Sequence, residues 1–347
     1  MPRQDDGSPP PAQAGRARGR RSRLAQRAGR RHAAGVRAIA AIGLGAALAC
    51  GSEAGLSDRR GGAAPGAVEL WFAGDVHLGP GGAGALAGLG AAMGDSSGVV
   101  NLEGPIDPRG AEGVVREAAA LRLFNGTDAP DELARAGVAA VGLANNHASD
   151  AGPAGQANTA VALRAAGVAP FGGAAGVAVL ERDGLRVALA GFDLADAVPP
   201  ELPAALAEAR RAGDVLAVGF HTTGPPLYLP EPQLRRAVDL AFEAGAAVVV
   251  AHGSHSLAGA ELRGKAVVAW GLGNVAFACD CTDEREALIL RVRLGRDGVE
   301  SAALVPIDAG LGGQPARLAA DPGPVLDLLQ ALGVAGRRDA DRLTLKQ

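Results

Sequence analysis

The chain has 347 residues, of which 48% are apolar and only 3% aromatic, and a formal net charge of −3. That length supports a sizeable core, built of necessity from Ala, Val and Leu. Residues 1–37 carry ten Arg against two Asp, a balance of +8, which leaves −11 on the rest. An acidic body excludes nucleic-acid binding through a broad basic face.

Residues 1–35 are rich in Pro, Gly and Arg, lack apolar periodicity and are expected to be disordered. The apolar run at 38–49 is too short to cross a bilayer as a stable helix, but it suits the apolar region of a signal peptide. It ends at Ala47-Leu48-Ala49-Cys50, which resembles a bacterial lipobox with Ala47 where Leu is usual. Cleavage and diacylation at Cys50 are expected, with an ordinary secretion signal or an uncleaved anchor as alternatives. The pairs Arg20-Arg21 and Arg30-Arg31 leave twin-Arg export open. Val36-Arg37 would open a conventional signal by itself, so the true start is expected downstream of Met1. Residues 51–67 read as a short tether.

From residue 68 onward, strand-like and helix-like segments alternate. Strands are expected at 68–73, around 99–100, and at 138–143, 215–220 and 247–251. Helices are expected at 131–136 and 155–166, each closed by a glycine, and at 202–212 and 233–244. Asp183-Gly184 signals a hairpin between 177–180 and 186–192. Later strands fall at 267–272, 287–292 and 301–305, and Pro322 opens a helix at 321–332. This order predicts one α/β domain over 68–310, parallel in its first half and mixed towards its end. A C-terminal extension, 311–347, follows it. Cys279 and Cys281 are expected as two thiols in a partly exposed loop, with a strained or redox-active bridge as the alternative.

Five of the six histidines, His77, His147, His221, His252 and His255, follow apolar runs in Gly- and Asn-rich segments; the sixth, His32, lies in the leader. α/β sheets bind ligands beyond the carboxyl ends of their strands, so this distribution predicts one metal site. A two-metal hydrolytic site needs a bridging carboxylate, neutral imidazoles and an amide oxygen. Asp75 and His77 can turn into one crevice from a loop just past the first strand. Glu103, or else Asn101, supplies a second acidic or amide ligand, and Asn146 an amide oxygen. His221, His252 and His255 complete a nitrogen set suited to Zn, Mn or Fe. His147 is the expected general acid, oriented by Asp150. Asn274 reads first as a turn residue, and Glu261 as either a supporting or an exposed carboxylate. Residues 82–87 imitate a dinucleotide fingerprint, but Asp75-Val76-His77 and Pro80 separate them from the strand. No Walker-type phosphate loop occurs.

Four segments occur in a telling order: Phe72-Ala73-Gly74-Asp75-Val76; Val100-Asn101-Leu102-Glu103-Gly104-Pro105; Gly142-Leu143-Ala144-Asn145-Asn146-His147-Ala148-Ser149-Asp150-Ala151-Gly152; and Trp270-Gly271-Leu272-Gly273-Asn274-Val275-Ala276-Phe277. Over residues 68–310 the chain thereby resembles the bacterial CapA family, named for capsule and poly-γ-glutamate synthesis. The Ala-Asn-Asn-His segment is its most specific part. The resemblance implies the four-layer αββα sandwich of calcineurin-like metallophosphatases, with mixed sheets and one or two divalent ions (Mn, Fe or Zn) at the strand ends. Together with the lipobox-like segment, it implies an extracytoplasmic, membrane-anchored lipoprotein of the cell envelope. Such a protein would act as a phosphoesterase-like hydrolase on a surface polymer or its precursor, with polymer synthase or export subunits as partners. A non-catalytic binding or assembly factor is the alternative. Two departures bear on the site. Where the family has His-Pro-His this chain has Gly253-Ser254-His255, so one expected imidazole is missing, with His252 as its substitute from a different direction along the strand, and Thr222-Thr223 stands where Trp-Gly is common. One metal is therefore expected to be weakly held or absent. His77, conversely, is closer to the Asp-x-His of true metallophosphatases. Replacing Cys50 with Ala is expected to shift the protein from the membrane fraction to the soluble fraction; unchanged partitioning on fractionation overturns the lipidation reading.

Overall fold

In the first strand, β1 (Val68–His77), only Glu69 is exposed, because both faces of the strand are covered. Leu70 and Phe72 enter one hydrophobic core, and Trp71 and Ala73 another. The computed structural model describes residues 66–347 apart from 112–113, 118–119, 196, 224–227, 280, 283 and 313. The leader, the lipobox-like segment with Cys50, and the tether up to residue 65 lie outside the described residues.

After β1 come α1 (Ala87–Met93), β2 (Ser97–Leu102), β3 (Val114–Glu117), β4 (Ala120–Leu123), α2 (Ala129–Arg135), β5 (Val138–Gly142), α3 (Gly152–Ala165) and β6 (Ala169–Phe171). A second series follows: β7 (Ala178–Arg182), β8 (Leu185–Ala195), α4 (Leu202–Arg211), β9 (Val215–Thr222), α5 (Pro232–Glu243), β10 (Ala246–His252), β11 (Ala260–Arg263) and β12 (Ala266–Ala269). The chain then returns to the first sheet with β13 (Asn274–Phe277), β14 (Glu286–Gly295), β15 (Gly298–Asp308), β16 (Gly310–Leu311) and β17 (Arg317–Leu318). It ends with α6 (Gly323–Ala331), β18 (Gly336–Arg338) and β19 (Leu343–Leu345).

The first sheet runs β18-β19-β15-β14-β1-β2-β5-β6, with β13 beside the end of β1. The second runs β11-β12-β10-β9-β8-β7. Both are mixed: β1, β2, β5 and β6 are parallel, as are β8, β9, β10 and β12, while the flanking strands run antiparallel. Between the sheets, Leu288, Leu290 and Val292 share a core with Val187, Leu189, Val248 and Val250. On the outer face of the first sheet, Leu89, Leu133 and Leu163 of α1, α2 and α3 cover Val100 and Val141. On the outer face of the second, Leu206 of α4 and Val238 of α5 cover Leu216, Val218 and Val249. The fold is α/β, as the alternating segments predicted, and its layers form the sandwich that the family resemblance implied. Each fully buried Leu or Val stabilises it by about 1.5–3 kcal/mol.

Three local features differ from expectation. β1 continues through His77, so Asp75 and His77 stand within a strand rather than on a loop; pairing of Asp75 with both Asn101 and Asn274 extends it. Residues 311–347 are built into the first sheet through β17 and β19, and Val325, Leu326 and Leu329 of α6 enter the inter-sheet core. Cys279 and Cys281 form a disulfide rather than two thiols, their Cα atoms 5.2 Å apart and within bridging range. The hairpin at Asp183-Gly184 has positive φ at both residues, as a two-residue primed turn requires.

Trp71, whose Nε1 donates to the Ser96 carbonyl, lies so close to Gly98 that a Cβ there would meet the indole at 2.1 Å. Gly98→Ala is expected to destabilise the fold by about 1–3 kcal/mol through overpacking. Urea unfolding monitored by circular dichroism would reveal this, and an unchanged midpoint would contradict that packing.

Candidate metal centre

Strand register lines up polar side chains at the carboxyl ends of both sheets. In the first sheet, Asp75 stands beside Asn101 on one side and Asn274 on the other. In the second, Asp193, His221 and His252 form a row across β8, β9 and β10. Neighbouring strands are about 4.8 Å apart, so each row spaces its functional atoms at near-contact distances. Glu103 follows directly on β2, and its backbone N–H donates to the Val76 carbonyl.

Asp75 and Glu103 are each only 1% exposed. Asp75 Oδ1 accepts from Asn101 Nδ2 at 2.9 Å, and Oδ2 from the Gly253 N–H at 2.9 Å. His252 Nδ1 lies 3.6 Å from the first of these oxygens and His255 Nδ1 3.5 Å from the second. Glu103 Oε1 accepts from His221 Nε2 at 3.0 Å, and His221 Nδ1 lies 3.7 Å from Asp193 Oδ1. Burial by itself raises the pKa of Glu103, but the hydrogen bond and charge of His221 outweigh it and hold the group below its ordinary value. Burial likewise opposes protonation of His221, yet Asp193 and Glu103 push its pKa up to about 10. His252 has no such hydrogen-bonded acid, and desolvation pushes it down to about 4, so it is neutral at pH 7.

Asp75, Glu103 and His255 each offer a ligand atom, and these atoms all lie within 4.8 Å of one another. Glu103 Oε2 and His252 Nδ1 are buried without a hydrogen-bond partner. An ionised carboxylate oxygen and a neutral imidazole nitrogen, both removed from water, are lone pairs that a cation satisfies. The donor set therefore fits a divalent metal. His255 is prepared for this role: its Nδ1 donates to Asn274 Oδ1 at 3.0 Å, which leaves Nε2 as the basic nitrogen. Its φ of +56 is rare for a side chain other than glycine and is a strain kept at functional sites. Asn274 is in turn held by Thr282, its Nδ2 lying 3.5 Å from Thr282 Oγ1.

The other residues singled out from the sequence are distributed as follows. His147 donates from Nδ1 to Asp150 Oδ2 at 2.8 Å, and that oxygen also accepts from the Leu123 N–H at 2.7 Å. His147 is also a minor through-space contributor to the lowered pKa of Glu103. His77 is turned elsewhere: its Nε2 lies 3.1 Å from the Phe124 carbonyl oxygen, and its ring packs on Phe277. Asn146 is exposed, and its neighbour Asn145 is buried in its stead. Asn145 Nδ2 donates to Asn101 Oδ1 and to the Leu102 carbonyl, and so steadies the amide beside Asp75. Glu261 pairs with Arg263 on the edge strand β11, away from the cluster. Besides Asn145, two contributors escape the sequence reading. Asp193 was signalled only by following an apolar run; Gly253 was noted for the imidazole it replaces, not for the N–H it supplies. A Cβ at Gly253 would meet the Thr222 carbonyl at 2.0 Å, so the close approach to Asp75 demands glycine.

Residues 70–279 match the family described as bacterial capsule synthesis protein PGA_cap. No curated protein matches the chain. A solved structure described as that of a hypothetical protein from Thermus thermophilus is similar at 14% identity and a TM-score of 0.48, over 70% of this chain and 100% of that one.

The pKa directions determine how the metal-free protein responds to pH. The stabilisation tied to His221 is fully present below its ordinary value of 6.5 and disappears as pH rises through about 10. The Glu103 contribution runs the other way, present above 4.5 and lost as pH falls through its lowered value. His252 opposes folding below 6.5, where only the unfolded chain takes up its proton. His221→Asn is expected to cost about 3–5 kcal/mol near neutral pH, as one half of a buried ion pair loses its partner. It should also flatten the alkaline decline of stability in chelator-treated protein. Urea titrations between about pH 5 and about pH 11 measure both; an alkaline decline of equal size in the variant contradicts the assignment.

Proposed function

Because the chain belongs to the bacterial capsule synthesis protein family PGA_cap, we propose that it is a metal-dependent hydrolase of surface-polymer biosynthesis in the cell envelope, acting on a phosphoester or a related bond. The observation that carries this reading is the meeting of Asp75, Glu103 and His255 within 4.8 Å, at the shared edge of two sheets. These three would hold one ion, and His252, joined by His221 once the ion displaces its proton, would supply nitrogen to a second beside the same carboxylates. The mixed imidazole–carboxylate set suits Mn, Fe or Zn. A divalent ion bound there would lower the pKa of a water towards neutrality and polarise the bond under attack.

The chain's own residues supply the rest. Asp75 and Glu103 are sealed from solvent, which strengthens their electrostatic grip. The open side of the cluster is formed by His255 and His147, with side chains 27% and 15% exposed. Asp150 fixes the His147 ring through Nδ1 and leaves Nε2 to pass a proton to the departing oxygen. Attachment to the membrane through Cys50, and association with polymer synthase or export subunits, belong to the same proposal. They rest on the sequence of the leader and on the family.

A binding or assembly role without turnover is the second reading, and Gly253 favours it. Its N–H engages the Asp75 oxygen where the related pattern offers another imidazole.

Metal analysis of the purified protein and turnover of aryl phosphodiesters separate the two readings. Near-stoichiometric Mn, Fe or Zn is expected, lost in Asp75→Asn and Glu103→Gln. His147→Ala is expected to keep the metal while turnover falls about 10²–10⁴-fold. Metal and turnover both unaffected in Asp75→Asn would disprove the assignment. A metal-free wild type that still binds polymer would support the second reading.

A further inference from the structure

The disulfide between Cys279 and Cys281 closes a loop across one intervening residue. So short a loop gains little stability from a cross-link, because the entropy removed from the unfolded chain grows with loop length. Its place in the fold gives it another use. β13 ends at Phe277, and the next residue, Ala278, donates its N–H to the His77 carbonyl at 2.8 Å. The bridge thus leaves directly from the strand that pairs with Asp75, and Thr282 follows it at once.

Both flanks of the bridge act on His255. On one side, the Phe277 ring stands 5.0 Å from the His255 ring and 5.4 Å from the His77 ring, centroid to centroid. On the other, Thr282 Oγ1 lies 3.5 Å from Asn274 Nδ2 and accepts from the Glu284 N–H at 3.3 Å. Asn274 Oδ1 accepts from His255 Nδ1, the contact that leaves Nε2 basic. Cys279 is buried in a small apolar cluster with Leu123, Phe277 and Leu311. Leu123 is the residue whose N–H binds Asp150, the partner of His147. One covalent link therefore joins the two supports of a metal ligand and packs against the support of the proton donor. Of the pair, Cys281 is exposed and Cys279 is not.

We infer that the Cys279–Cys281 bridge is a redox control on the metal centre: closed, it holds Phe277 and Thr282 where they fix His255; opened, it releases Thr282 and weakens the grip on the ion. The inference rests on the metal-binding reading above and adds a regulation to it. The co-reactant is a dithiol. Its thiolate attacks Sγ of the exposed Cys281, the S–S bond breaks, and the electron pair leaves on Cys279, which takes up a proton. The second thiol of the reductant then displaces Cys281, which leaves as a thiol. The reductant ends as a disulfide, and the bridge has gained two electrons and two protons. Oxidation reverses the sequence, so the centre takes its ion under oxidising conditions and yields it under reducing ones.

Manganese is the probe, because it has little affinity for the freed thiols. Calorimetric titration of the full-length protein, oxidised or reduced with a phosphine that is then removed, reads its affinity. The ring signals of His255, assigned with His255→Asn, are followed by NMR in the metal-free protein. Reduction is expected to weaken Mn binding about tenfold and to shift those signals, while the metal-free protein still unfolds cooperatively. The double variant Cys279→Ser/Cys281→Ser should match the reduced protein. Thr282→Val, with its bridge intact, should weaken Mn binding to a similar degree, and reduction should add little to it, since both changes break one relay. Equal Mn affinity in the oxidised and reduced forms, full additivity of reduction and Thr282→Val, or collapse of the whole fold on reduction overturns the proposal. Should the oxidised wild type take up no Mn, the metal reading falls by itself; His255 signals unmoved by reduction overturn the relay.

Discussion

Two carboxylates withdrawn from water at the meeting point of two sheets set the terms for everything around them. An isolated buried carboxylate is costly, and folding tolerates it only when charge or hydrogen bonding replaces the lost hydration. Here Asp75 receives donors from Asn101 and Gly253, and Glu103 receives a protonated His221. Those donors come from both sheets, so the sandwich is stable only in a register that brings β1 and β2 of one sheet against the ends of β9 and β10 of the other. The polar cluster thus selects the arrangement that the apolar core alone would leave less sharply defined.

The same requirement accounts for the unequal titration of the imidazoles. His221 stands between two acids and is held charged; His252 is equally enclosed but lacks a hydrogen-bonded carboxylate and is held neutral. His255 is neither enclosed nor doubly paired, and its ring is oriented by an amide. His221 and His252, close in space, therefore differ in electrostatic character, set by neighbours contributed by other strands. An imidazole kept neutral by burial is a better ligand than one held as a cation, and an imidazole at the rim can exchange with solvent.

Much of this was legible in the chain. Apolar runs ending in Asp75, Glu103, His221 and His252 marked strand ends, and strand ends in α/β sheets are where ligands gather. What failed did so for local reasons. Asn145 and Asn146 are chemically identical, and only the turn after β5 decides which of them points inward. His77 stands two residues beyond Asp75, which in a regular strand means the same face, but an irregular register between Asp75 and Val76 separates their surroundings. Asp193 lies near the end of β8 as His221 does near the end of β9, a correspondence visible only once the two strands are paired. The short strands of the last forty residues carry too few side chains for any periodicity to appear.

The order of the chain adds one consequence. Asp75 takes its second donor from Gly253, 178 residues later, and β1 is flanked by β14, whose Arg291 meets Glu69 across 222 residues. Contacts of such separation form slowly and late in folding. A nascent chain that has emerged through β5 or even β9 holds Asp75 with only one of its two donors and a hydrophobic strand with one bare edge. Capture of an ion by this donor set would therefore belong to the finished chain, and the metal present where the last strands are delivered would decide which ion the site takes.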